Sequence, residues 1–208
     1  GGKKTMIISV TLNAAMDRTV AVPNFRQGHK HRSVESRTVP GGKGINVARA
    51  LRLLGRPVIA TGLAGGATGD GVLAQLTEES LLTDFIRIAE ETRINLAVID
   101  PTSNEQTEIN ERGPHVGPEE LDAFVKRLDY LAGGATICVL AGSLPPGVDV
   151  NTYNRLVTNL RQRGITVLLD AEARGSNWDA KRGGHLREPI QAFTGAIRAL
   201  NGYTDGGT

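Results

Sequence analysis

The densest group of chemistry-bearing residues is Pro40-Gly-Gly-Lys-Gly-Ile-Asn-Val-Ala48. Paired glycines let a backbone approach a ligand closely, and the N–H groups that open a following helix attract an anion. Lys43 adds a positive charge there, and Asn46 adds donors and an acceptor. Neither the Walker A pattern nor GxGxxG is present. On residue types alone the stretch is an anion or sugar site, or a plain Gly-rich turn.

Four weaker features stand at similar places. Thr11-Leu-Asn-Ala-Ala-Met-Asp17 follows a β-rich run, and Asp17 could accept two sugar hydroxyls or close an Asx turn. Gly65-Gly-Ala-Thr-Gly-Asp70 could receive a phosphate, or cap a helix through Thr68 or Asp70. Ala141-Gly-Ser-Leu-Pro-Pro-Gly147 would present the Ser143 hydroxyl to a crevice, or form a stiff turn. Thr92-Arg93 opens an alternating run, where an Arg suits either a phosphate or a surface ion pair.

The elements that must position these residues alternate between strand and helix. Runs at 5–11, 58–62, 83–88, 135–141 and 165–170 have strand character. Helical patterns cover 44–54, 70–82, 118–131 and 150–163. Apolar strands that each lead into a helix predict a parallel sheet covered on both faces. Ligands then bind beyond the carboxyl ends of the strands. Residues 18–40 and 93–110 break this rhythm with period-2 alternation, which predicts a small β-sheet projecting from the core as a lid.

Composition narrows the class. The chain has 208 residues and a net charge of +2, with 4% aromatic residues. That balance does not suggest a nucleic-acid partner. No apolar run is long enough for a membrane span, so no membrane partner is expected. Cys138 is the single cysteine, which excludes an internal disulfide or a Cys-based zinc site. It sits in an apolar run as a small buried hydrophobe, and a reducing, cytoplasmic setting fits. His29, His31, His115 and His185 lack ligand spacing. The missing GxGxxG argues against a dinucleotide-binding oxidoreductase.

Taken together, five motifs resemble one family. They are Thr11-Leu-Asn-x-x-x-Asp17, Pro40-Gly-Gly-Lys-Gly-Ile-Asn-Val-Ala-Arg-Ala50, Thr92-Arg-x-Asn95, Ile109-Asn-Glu-x-Gly-Pro114 and Gly142-Ser-Leu-Pro-Pro-Gly147. In this order they are similar to the ribokinase-like (PfkB) sugar-phosphate kinases, on the 1-phosphofructokinase and tagatose-6-phosphate kinase branch. The resemblance implies an α/β core with helices on both faces and a β lid. It also implies transfer of the ATP γ-phosphate, with Mg²⁺, to a hexose phosphate such as fructose 1-phosphate or tagatose 6-phosphate. Asp17, Gly42 and Asn46 would hold sugar hydroxyls, Lys43 and Arg93 the substrate's phosphate, and Ser143 would line the same cleft. A homodimer through the lid sheet is the expected assembly.

The sequence departs from the family in two places. Ala14 stands where the family usually has Pro, which removes no functional group. The family's catalytic Asp lies in a late Gly-Ala-Gly-Asp motif that does not occur before Thr208. The catalytic residue therefore has no assigned position, and Asp70 and Asp205 are poor substitutes by context. The expected organisation is the N-terminal part of a kinase domain over 5–175 and a divergent or aberrant tail over 176–208. The expected activity is a sugar-phosphate kinase; the other reading is a non-catalytic homologue that only binds the sugar phosphate.

Overall fold

A computed structural model describes residues 6–171. The expected tail over 176–208 lies outside the described residues.

The core is a five-stranded parallel sheet. Its strands are β1 (Met6–Thr11), β4 (Val58–Gly65), β5 (Leu82–Ile88), β8 (Ala135–Ala141) and β9 (Thr166–Asp170), in the order β5-β4-β1-β8-β9. Between them run α1 (Lys43–Leu53), α2 (Gly66–Glu78), α3 (Pro118–Ala132) and α4 (Thr152–Gln162). Strand period 2 sorts the side chains to two faces. Ile8, Val10, Cys138 and Leu140 pack with Phe124 and Leu128 of α3 and Leu156 and Leu160 of α4. Ile7, Val58, Ala60 and Val139 pack on the other face with Ile45 and Ala48 of α1 and Val72 and Leu76 of α2. Both faces are apolar, as expected of a covered parallel sheet.

The two alternating regions form a second sheet. It contains β2 (Ala15–Ala21), β3 (Glu35–Gly41), β6 (Arg93–Asp100) and β7 (Glu105–Asn110), in the order β3-β2-β6-β7. β2 pairs antiparallel with β3 and parallel with β6, and β6 and β7 form a hairpin. The far end is clasped by Asp100, whose carboxylate accepts the backbone N–H groups of Asn24, Phe25 and Thr102. Burial pushes the Asp100 pKa up, but these donors outweigh it and the net direction is down.

Two expectations need correction. Asp17 lies within strand β2, not in an Asx turn. Helix α2 spans Gly66–Glu78, about four residues earlier than the 70–82 pattern. Neither Thr68 nor Asp70 caps it; Gly65 is the N-cap residue and has no side chain to offer. The Glu91 carboxylate, from the loop before β6, accepts the Thr68 N–H instead. A carboxylate at a helix N-terminus interacts favourably with the dipole and with unpaired N–H groups. The Thr68 hydroxyl and the Thr68 and Ala67 N–H groups hold the Glu91 pKa below the usual range. Because this carboxylate arrives from Glu91, far along the chain, local sequence places the helix start wrongly.

Candidate functional site

Strand order reverses between β1 and β8, with β4 and β5 on one side and β9 on the other. At such a switch point the loops diverge and leave a crevice. Residues 12–14 after β1, residues 142–147 after β8 and the N-terminus of α1 all lie at this end of the sheet.

Asp17 sits on β2 opposite Asn95 of β6 and Val39 of β3. Asn95 Nδ2 donates to Asp17 Oδ1 at 2.8 Å. A side chain at Gly41 would place its Cβ 2.0 Å from Asp17 Oδ2, so the carboxylate lies directly over the bare backbone. Desolvation by burial raises the Asp17 pKa; the Asn95 hydrogen bond and the charges of Arg93 and Arg49 act against it. Gly42 follows with φ +120°, a conformation that L side chains rarely adopt, and a Cβ there would meet Thr11 Cγ2 at 2.6 Å.

Lys43 starts α1, and its Nζ is 3.9 Å from Asp170 Oδ2 at the end of β9. Gly142 closes this corner: its N–H donates to the Asp170 carbonyl, and its own carbonyl accepts the buried Tyr153 hydroxyl at 2.9 Å. Burial and the Asp170 charge both push the Tyr153 pKa up, so it is a neutral donor. Ser143 comes next, with its Oγ accepting from Asn13 Nδ2 at 3.2 Å. Arg93 opens β6 and donates to two backbone carbonyls, Glu111 O at 2.9 Å and Asn13 O at 3.1 Å.

The structure thus gathers Asp17, Gly42, Lys43, Arg93 and Ser143 along one run of contacts at this end of the sheet. Asn46 lies one turn into α1, where its Oδ1 accepts from Arg49 Nη1 at 3.1 Å. The third loop candidate, 65–70, does not join them: Glu91 takes the position an anion would occupy, and Asp70 is exposed and paired with Arg87. Two residues escaped the sequence reading. Arg49 grips Glu79 through Nε and Nη2 at 2.6 and 2.7 Å and donates to the Pro40 carbonyl, which locks the corner from β3 into α1. Its three-residue spacing from Asn46 was the available signal. Asn13 lies inside the first motif, but nothing local shows what it touches.

Among the described residues no group of three His, Cys, Asp or Glu side chains could hold a metal ion. Magnesium in phosphoryl transfer is carried largely on the nucleotide's own phosphates, with one or two carboxylates at most. No described helix is long and apolar enough to cross a membrane.

A covered parallel sheet, a second sheet beside it and polar side chains gathered at the switch in strand order define an α/β protein of sugar-kinase architecture. The family model described as pfkB family carbohydrate kinase matches residues 4–181, and the chain belongs to that family. It is 38% identical over 165 residues to a 1-phosphofructokinase of Bacillus subtilis (strain 168), covering 79% of this chain and 53% of the relative. A possible 1-phosphofructokinase from Thermotoga maritima superposes with a TM-score of 0.76 at 35% identity, over 81% of this chain and 54% of that one. Phosphofructokinase-2 from Escherichia coli, solved with fructose-6-phosphate, gives a TM-score of 0.77 at 31% identity, over 82% and 56%. The chain therefore spans about half the length of these relatives.

Proposed function

We propose that this chain carries the sugar-phosphate side of an ATP-dependent kinase. Its acceptor would be fructose 1-phosphate or tagatose 6-phosphate and its product the bisphosphate. The observation that carries this reading is the Asp17 carboxylate, half-buried over Gly41, oriented by Asn95 and facing the charge of Arg93. A desolvated, oriented carboxylate is a strong acceptor for hydroxyl groups. In this reading Asp17, the Gly42 backbone and Asn46 hold the sugar, Lys43 and Arg93 hold its phosphate, and Ser143 lines the same wall. The second sheet excludes water from the transferring group, as phosphoryl transfer requires. ATP with Mg²⁺ supplies the phosphoryl group, and the protein's part is mainly positioning and charge neutralisation.

Pairing of two chains through the lid sheet belongs to the same reading. It is supported by β7, exposed along its whole length, and by Val34 and Ile109, which are 71% and 59% exposed. Sedimentation velocity that finds only monomer at high concentration removes this part.

The test is calorimetric titration with fructose 1-phosphate beside a coupled ADP-release assay. The expected result is saturable binding. Arg93→Ala should weaken fructose 1-phosphate by about 10- to 100-fold, the worth of a charge-assisted hydrogen bond, and leave fructose nearly unchanged. Absence of binding, or equal losses for both sugars, overturns the assignment. ADP release would place a base within this chain and make Asp70 and Asp205 the next variants. Binding without release would favour the non-catalytic reading.

A further inference from the structure

Two of the five motifs contain residues with no role in the reading above: Asn13 in the first, and the Arg112-Gly113 turn after β7. The structure brings them together. Asn13 is only 5% exposed. Its Nδ2 donates to the Arg112 carbonyl at 2.9 Å and to Ser143 Oγ at 3.2 Å. Its own backbone carbonyl accepts from Arg93 Nη2 at 3.1 Å. Gly113 has φ +103°, and a Cβ there would lie 2.2 Å from Asn13 Oδ1, so the return from the lid is pressed onto this amide. One further tie joins the same two loops: the Val116 N–H donates to the Pro146 carbonyl at 2.9 Å.

We propose that Asn13 is a positioning residue of the cleft, whose side-chain amide clasps the loop returning from the second sheet to the Ser143 loop of the core. It thereby fixes the distance between Arg93 and Ser143. The three segments it joins, 12–14, 111–113 and 142–143, come from distant parts of the chain, and no regular element spans them. One amide reaches two of them because its NH₂ carries two donors in a fixed plane. Asn13 Oδ1 is buried and has no partner among the described residues. A buried acceptor without a partner costs stability. The side chain is therefore a poor choice for packing alone, and its two donors account for its place. The consequence for ligand binding rests on the sugar-phosphate reading; the clasp itself does not.

Hydrogen exchange with mass-spectrometric readout on the intact chain, for wild type, Asn13→Ala and Asn13→Asp, tests the clasp directly. Asp keeps the shape but cannot donate to the Arg112 carbonyl, so both variants lose the tie to the returning loop. Exchange across 110–114 and at the start of β6 is expected to rise about tenfold, the equivalent of one lost hydrogen bond, with β1, β4 and β8 unchanged. Titration should show fructose 1-phosphate weakened about tenfold and fructose much less, because Arg93 is the group displaced. A uniform rise in exchange across the core sheet, unfolding of both variants, or no change in any segment overturns the proposal and makes Asn13 an ordinary buried residue. If the wild type binds no hexose phosphate, the sugar-phosphate reading falls, and the exchange pattern alone decides the clasp.

Discussion

Asp17 combines two opposing demands. Its carboxylate is removed from water, which raises its pKa, yet a role in holding hydroxyls needs it charged. Between the unfolded and the raised folded pKa the native state binds more protons than the unfolded state, so this group's contribution to stability falls as pH rises through that window. Asp17→Asn should therefore be more stable than wild type at neutral pH, and the difference should vanish in acid. Asn95 can still donate to the new amide oxygen, so the strand pairing survives. The same variant should lose most of its affinity for the sugar. Urea melts at the two pH values and one titration check both halves; a variant less stable at neutral pH would contradict the burial argument. Cys138 shows the opposite outcome at residue scale. It is fully buried, and burial alone pushes its thiol up to about 12, so it is an inert part of the core.

At the scale of elements, side chains hold the helix ends and the loops that lead between the sheets. Glu91 opens α2, and Glu120 serves two places at once, accepting the N–H of Ala89 and of Gly117 at the start of α3. Arg49 ties α1 to α2's end at Glu79 and to the Pro40 carbonyl near the end of β3. Glu91→Gln should lower the melting temperature at neutral pH. The Glu91 pKa is depressed, so its stabilisation is present above the ordinary carboxylate range and lost as pH falls through the lowered value. Wild type and variant should converge in acid and in high salt, where the dipole interaction is screened. Equal melting temperatures at neutral pH and low salt would show that Glu91 does not hold the start of α2.

Across the whole molecule, stability and site are separated. The apolar core lies on the two faces of the first sheet, while the second sheet has an outer strand, β7, with every residue exposed. Phe124 is fully buried beneath the sheet, so Phe124→Ala should cost about 3–5 kcal/mol in denaturant melts. A cost below about 1 kcal/mol would mean that α3 packs less tightly than the structure shows. The chain passes between the sheets at 12–14, 41–42, 89–92 and 111–117, and Gly42, Lys43 and Arg93 lie at or beside these crossings.

The sequence by itself determined the covered parallel sheet, the second sheet and the family, because strand periodicity and motif order are local signals. Apolar runs without alternation marked β1, β4 and β8, and period-2 runs marked β3, β6, β7 and the second half of β2. It also named Lys43, Arg93 and Ser143, whose residue types suit a phosphate or a hydroxyl wherever they stand. Only the tertiary structure decided what these side chains touch. The parallel register of β2 on β6 sets Asp17 against Asn95, 78 residues away. Glu91 moves the start of α2, and Asn13 meets Ser143 across 130 residues. Periodicity reports which face of an element is apolar; it carries no information about which distant polar groups meet when two sheets are brought together.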